Sequence, residues 1–235
     1  MRFVCILLLF FGFNVGLNAF ALTPKANKHL EENDVLEIQG KLFKLGYNVG
    51  EIDGKIGQRF INAVVAFQKL HQLNTDGVIN YEFLVHIDDA LEPIPVKKTK
   101  GYHIEIDIPR QILVLYNNNI VQTIMPISSG DGKGYTRKDG TNAPTDTPIG
   151  TFKIQRKINA EHRPEANPEW VLYYPLYFYG PYAIHGADKI TPTNPASHGC
   201  IRIPYADSKW FNELIPLGIT VFISKDPLPV KYVKQ

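Results

Sequence analysis

The sequence has very little cysteine. Among 235 residues only Cys5 and Cys200 carry a thiol, and Cys5 lies in an opening apolar stretch that reads as a removable leader. The mature chain is left with one thiol and no internal disulfide. In an oxidising compartment a lone thiol is a liability unless it is used, which marks Cys200 as a candidate reactive group. Net charge is also sparse: the formal value is +2, about +1 once Arg2 departs with the leader, too little for a general attraction to nucleic acid or to an anionic membrane. Recognition is therefore local. Beyond the leader no apolar run is long enough to span a bilayer. The acidic residues are not set at the alternate positions that calcium ligation needs.

What is present begins with the leader itself. Met1 to Ala21 holds one positive charge at Arg2, an apolar run from Phe3 to Phe13, and small residues at Ala19 and Ala21, the pattern of a secretory signal cleaved after Ala21. An uncleaved membrane segment is the alternative, and Asn14, Gly16 and Asn18 weaken it. The expected location is the periplasm or cell wall, with membrane contact only through an uncleaved leader.

From 27 to 90 apolar residues recur at helical spacing in two blocks, Val35-Leu36-Ile38-Leu42-Leu45 and Ile61-Val64-Val65-Phe67-Leu70. Turn chemistry follows each, at Gly46 to Gly50 and Asp53-Gly54, then at Asp76-Gly77. These imply a small all-α domain whose Asp-Gly pairs are turn formers rather than metal ligands. Residues 91–100 carry two prolines and a charge run and read as a linker. From 101 to 225 the period becomes two. Ile104, Ile106 and Ile108 alternate with Glu105 and Asp107, and further strands are expected at 111–116, 120–128, 150–156, 170–179, 182–185 and 219–224. The fold class expected is a mainly β domain of antiparallel sheets, sandwich-like, preceded by the helical domain and followed by a tail at 226–235. The stretches 129–147 and 159–169 read as loops, the second able to cover a site.

The chemistry concentrates in Ile184-His185-Gly186 and Ser197-His198-Gly199-Cys200-Ile201-Arg202. A thiol needs a base or a positive neighbour to become a thiolate near neutral pH. His185, at the end of an apolar strand, is placed to reach Cys200 from across a sheet, whereas His198 is only two residues away and need not face the sulfur. The Gly186 carbonyl is the candidate to orient the His185 ring, since no Asp or Asn offers itself. Gly199 allows a sharp turn beside the nucleophile that would aim amide N–H groups at a substrate carbonyl. His185, His198 and Cys200 are all zinc-ligand types, but His-Gly-Cys is too short for the usual ligand spacing. No metal and no organic cofactor is called for.

Together with Thr147-Pro148-Ile149-Gly150-Thr151-Phe152, these two blocks resemble the catalytic domain of the L,D-transpeptidases of peptidoglycan, over about Gly101 to Ser224. The first domain is similar to the helical peptidoglycan-binding module through Leu45-Gly46-Tyr47, Asp53-Gly54, Phe67-Gln68 and Asp76-Gly77-Val78. The resemblance implies that Cys200 is acylated and His185 is the general base. It implies that Ser197, His198 and Gly199 shape the oxyanion pocket and the turn, and that Arg202 orients a substrate carboxylate. For Ser197 and His198, hydrogen bonds that merely hold the turn explain the residues equally well, and Arg202 has the alternative of an ion pair with Asp207. Tyr173 and Tyr174, in the aromatic run after Trp170, are candidate substrate contacts. The segment from His185 to Ser197 is shorter than the common family spacing and carries Pro192 and Pro195. Implied partners are the stem peptides and an amine acceptor, which extends to an amine-bearing wall-attached protein. Hydrolysis of the same thioester, giving an L,D-carboxypeptidase or endopeptidase, and a non-catalytic wall-binding protein are the alternatives.

Overall fold

The computed structural model describes residues 27–137, 139–187 and 194–234. The leader expected at Met1 to Ala21 lies outside them, as does Pro192. No helix among the described residues is long and apolar enough to cross a membrane.

Three helices open the fold: α1 (Glu32–Lys44), α2 (Gln58–Leu70) and α3 (Tyr81–Asp88). The first starts on a reciprocal cap between Glu31 and Asp34 and ends with Lys41 and Lys44, so its end charges suit the backbone dipole. The two Asp-Gly turns dock on buried glutamines in the same way. Gln39 of α1 accepts the N–H groups of Asp53 (3.1 Å) and Gly54 (2.9 Å), and Gln68 of α2 accepts that of Gly77 (2.9 Å). A third helix had not been expected. Its apolar pattern is short, and Asn80 caps it through the Phe83 N–H at 2.9 Å.

The strands follow as β1 (Asp89–Pro93), β2 (Tyr102–Asp107), β3 (Ile112–Asn117), β4 (Ile120–Pro126), β5 (Tyr135–Thr136), β6 (Asn142–Ala143), β7 (Gly150–Lys153), β8 (Arg156–Lys157), β9 (Glu161–His162), β10 (Leu172–Tyr179), β11 (Tyr182–Gly186) and β12 (Ile201–Ile203). Helix α4 (Tyr205–Leu214), β13 (Thr220–Ser224) and β14 (Val230–Lys234) complete the chain. One five-stranded sheet has the order β4-β3-β2-β13-β7. The other runs β12-β11-β10-β8, with β9 also on β10. Pairing is antiparallel except for β13 with β2 and β11 with β12. Ile104, Ile106, Leu113, Leu115, Val221 and Ile223 of the first sheet meet Leu176, Phe178, Ile184, Ile201 and Ile203 of the second, with Phe211 of α4 closing the core. This is the expected sandwich-like β domain, behind a helical one.

The two domains are not strung on a free linker. Strand β3 reads Ile-Leu-Val-Leu-Tyr because both of its faces are buried. Leu113 and Leu115 point into the sandwich, while Ile112, Val114 and Tyr116 join Ile124 in a second core with Leu42, Phe60, Val64, Phe67 and Phe83 of the helices. Helix α2 lies between the other helices and the sheet, and every residue from Phe60 to Leu70 is buried.

The linker and tail readings are corrected for the same reason. Strand β1 pairs antiparallel with β14, which the 226–235 tail supplies. Glu105 and Asp107 do alternate with isoleucines, but they face no water. The Glu105 carboxylate accepts the Val96 and Lys97 N–H groups (3.0 and 2.6 Å), and Asp107 accepts the Leu228 N–H (2.8 Å) and pairs with Arg110 (3.0 Å). Buried carboxylates must be satisfied in this way. Here they strap both chain segments onto the sheet.

Candidate active site

The site is built on the parallel pair β11–β12, in which Ile184 lies opposite Ile201, His185 opposite Arg202 and Gly186 opposite Ile203. Side chains alternate along each strand. Ile184, Ile201 and Ile203 enter the core, so Ala183, His185, Cys200 and Arg202 share the other face. Cys200, two residues before Arg202, is thus one diagonal step from His185 on that face. The half-buried thiol packs against Leu172, Tyr177 and Ala183.

The His185 ring is buried, and its Nδ1 lies 2.8 Å from the Gly186 carbonyl oxygen. A carbonyl can only accept, so Nδ1 carries the hydrogen and Nε2 is the basic nitrogen. Burial holds the imidazole well below its ordinary value, at about 4. The Gly186 bond works against this and the positive Arg202 adds to it. Burial pushes the Cys200 thiol up, while the Ala183 N–H and Arg202 oppose that by favouring the thiolate. Burial thus favours the neutral form of each group, the imidazole and the thiol.

The turn that presents Cys200 is held from several sides. Gly199 has φ +113°, and a Cβ there would meet the Tyr182 ring and lie 2.9 Å from the Asp146 carbonyl. The Gly199 N–H, expected to face a substrate carbonyl, is instead donated to Ser197 Oγ at 3.0 Å, and that hydroxyl donates to the Cys200 carbonyl at 2.5 Å. Ser197 is therefore a brace of the turn. Thr147 Oγ1 donates to the Gly199 carbonyl (3.0 Å) and accepts the Gly130 N–H (2.9 Å). The Ser129 carbonyl accepts the N–H groups of Ala196 (3.0 Å) and Ser197 (2.9 Å), and Ser128 exchanges two 2.9 Å bonds with Arg202. The end of β4 thereby stitches one sheet to the other.

His198 turns outward. It stacks on Trp170 (centroids 4.7 Å apart, 9° between planes) with Tyr135 edge-on at 4.7 Å. Arg202 donates to the Ala196 carbonyl at 3.0 Å. Asp207 is engaged by the helical domain, through Arg59 Nε at 3.1 Å and Asn48 Nδ2 at 2.9 Å. Tyr173 lies opposite Gly186 and packs edge-on against Tyr205. Tyr174 has its backbone tied to Ala160 and Asn212. The tyrosines coupled to Cys200 are Tyr177 and Tyr182, whose hydroxyls are raised by burial first and, in addition, by the charge of a Cys200 thiolate. Neither had been singled out, because a run rich in tyrosine gives no signal of which ring faces the thiol. Gly186 is needed where it stands: a Cβ would lie 2.6 Å from Ser208 Cβ of α4. Among the described residues no three of His, Cys, Asp and Glu gather as a metal site.

Residues 101–223 match the family model of the YkuD L,D-transpeptidase catalytic domain, and residues 31–87 match that of a peptidoglycan binding domain. Among solved structures, the chain is similar to an L,D-transpeptidase from Xylanimonas cellulosilytica, with a TM-score of 0.74 and 35% identity over 81% of this chain and 92% of that one. An L,D-transpeptidase from Stackebrandtia nassauensis shares the fold at 19% identity and TM-score 0.50, over 82% and 91% of the two chains. No curated protein matches.

Proposed function

This chain belongs to the L,D-transpeptidase family of peptidoglycan enzymes, and from that premise we propose that Cys200 carries the acyl group and His185 the proton in a two-step transfer. One observation carries the assignment. His185 and Cys200 share a face of β11–β12, and the Gly186 carbonyl leaves Nε2 as the ring's base.

In the first step Cys200 Sγ attacks the carbonyl carbon of the third residue of a stem tetrapeptide while its proton passes to His185 Nε2. The Gly199 N–H is already given to Ser197, which leaves the Cys200 N–H, beside the sulfur, to meet the developing oxyanion. Collapse breaks the peptide bond to the terminal D-alanine, whose amine takes the proton back from the imidazolium, and a thioester remains. In the second step an acceptor amine gives a proton to His185, attacks the thioester and expels the sulfur, which is reprotonated. The positive Arg202, beside the dyad, orients a stem carboxylate. With an amine of a second stem the product is a cross-link; an amine on a wall-attached protein fits the same step. The leader pattern at Met1 to Ala21 supports a site of action in the periplasm or cell wall, with the helical domain as the hold on the wall.

The test is incubation of the mature protein with disaccharide-tetrapeptide, with products and intact protein read by mass spectrometry. Loss of D-alanine with a cross-linked dimer is expected. Cys200→Ala should lower turnover by about 10⁴-fold or more and His185→Ala by about 10³-fold. Tripeptide alone would move the assignment to hydrolysis. Turnover that survives in Cys200→Ala would overturn the mechanism.

A further inference from the structure

We propose that Lys69, on α2 of the helical domain, is a positioning residue for the Cys200 turn, acting through the buried segment 127–129 that the two share. The inference rests on Cys200 being the acylated thiol.

Lys69 is the charged residue among the buried positions of α2, and it crosses into the β domain, 5% exposed. Its ammonium donates to the carbonyls of Ile127 (2.9 Å) and Gln111 (3.2 Å). Gln111 sits in the β2–β3 turn at φ +55°, a left-handed backbone that a side chain of its size rarely adopts. Its carbonyl also accepts the Ile127 N–H at 2.9 Å. Its side chain brackets Ser129, accepting the N–H at 2.8 Å and donating to Oγ at 2.8 Å. From Ser129 the path continues to the nucleophile: its carbonyl fixes Ala196 and Ser197, and Ser197 Oγ fixes Gly199 and Cys200. Hydrogen bonds therefore run without a gap from a helix of the wall-binding domain to the nucleophile's own carbonyl.

The position argues that the amine is there for this path. Burial holds the Lys69 ammonium far below the usual lysine range, at about 7, a desolvation cost that an apolar residue on the same helix would not carry. The amine also reaches a place where Ile127 ends the sheet pattern and the chain turns toward Arg202 and Ser197. Two carbonyls at the root of that turn are pinned by one group from another domain. In effect the helical domain forms part of the catalytic scaffold, in addition to tethering it.

The experiment uses the full mature chain with Lys69→Met, which keeps the stem and removes the ammonium. Val64→Ala, in the same helix and core but off the path, is the control for simple destabilisation. Two readouts are taken well below the unfolding transition: kcat and KM on disaccharide-tetrapeptide, and the rate of Cys200 alkylation by iodoacetamide. Lys69→Met should lower kcat about ten-fold with KM within two-fold, and should change the alkylation rate by at least three-fold, while Val64→Ala leaves both at the wild-type level. Combined with Ser129→Ala, the losses should be less than additive, as for groups in one network. A normal kcat in Lys69→Met, or equal losses in both variants, would overturn the proposal. Should Lys69→Met fail to fold, Lys69→Gln, with a neutral donor on a shorter stem, is read against the same control and limits. If the wild type itself shows no Cys200-dependent turnover, the transpeptidase reading fails, and alkylation still decides the coupling.

Discussion

His185 and Cys200 sit on one face of one strand pair, yet they are held by opposite means. The base lies inside β11, buried, and its ring is fixed by a bond to the next residue's carbonyl. The nucleophile stands just before β12, on a turn braced by Ser197, Thr147 and Ser129 and, behind these, by Gln111 and Lys69. Local sheet geometry places the first. Contacts from four distant stretches of chain place the second. The difference teaches that substitutions remote from the chemistry should act on the reactivity of the thiol, whereas the base should tolerate almost any change outside β11 and α4.

The strongest way to break this comparison is a matched pair of glycine substitutions. Gly199→Ala puts a Cβ against the Tyr182 ring and 2.9 Å from the Asp146 carbonyl, at φ +113° where an L side chain is strained. The turn must move, and turnover should fall by about 10²- to 10³-fold, since a displacement on the order of 1 Å at a reacting atom costs that much. Gly186→Ala meets Ser208 of α4, at its Oγ 2.5 Å away and its Cβ 2.6 Å away. The helix can shift while the Gly186 carbonyl stays, so the expected loss is below about ten-fold. Steady-state kinetics with circular dichroism as a folding check decides it; equal losses at the two glycines would erase the asymmetry.

A smaller effect is expected at Thr147. Thr147→Val keeps the shape and removes the hydroxyl, leaving the Gly199 carbonyl and the Gly130 N–H without their partner. Each such buried group left unpaired costs about 1–3 kcal/mol. Because one of them belongs to the catalytic turn, kcat should fall about ten-fold, with thermal unfolding lowered by several degrees at most. A variant that loses stability at normal kcat would show that Thr147 supports the sheet and not the turn.

How much of this was legible in sequence follows the same division. The Gly186 acceptor for the His185 ring and the strand positions were readable, because a period of two and the His-Gly step are local signals. The two Asp-Gly turns were readable as turns because they are short-range chemistry. What stayed hidden depends on residues far apart in the chain. Ile112, Val114 and Tyr116 form an apolar face in any reading, but nothing local says that α2 covers it. Nothing local marks Lys69 as buried, and the alternation of Glu105 and Asp107 with isoleucines does not say that both carboxylates are covered. Each is buried because a segment from elsewhere closes over it. The Arg202–Asp207 pair was a reasonable local guess, and Arg59 and Asn48 took Asp207 from across the domain boundary.

The finest test of the comparison is the pH dependence of the two groups separately. With the His185 imidazole held at about 4, its Nε2 remains an available base down to mildly acidic conditions, and only below about pH 4 does protonation remove it. With the Cys200 thiol pushed above its usual range, little thiolate exists at neutral pH, so the proton must leave during attack on the substrate and not before it. The profile of kcat/KM should then be nearly flat from about pH 5 to 8, changing less than about two-fold. Iodoacetamide, which needs the thiolate, should react slowly at pH 7 and about ten-fold faster for each unit up to pH 9. A preformed thiolate–imidazolium pair would give the opposite pattern: alkylation already fast at pH 5, and turnover failing as the imidazolium loses its proton on the alkaline side. In that case binding of both groups into one charged unit, and not their separate placement, would govern the site.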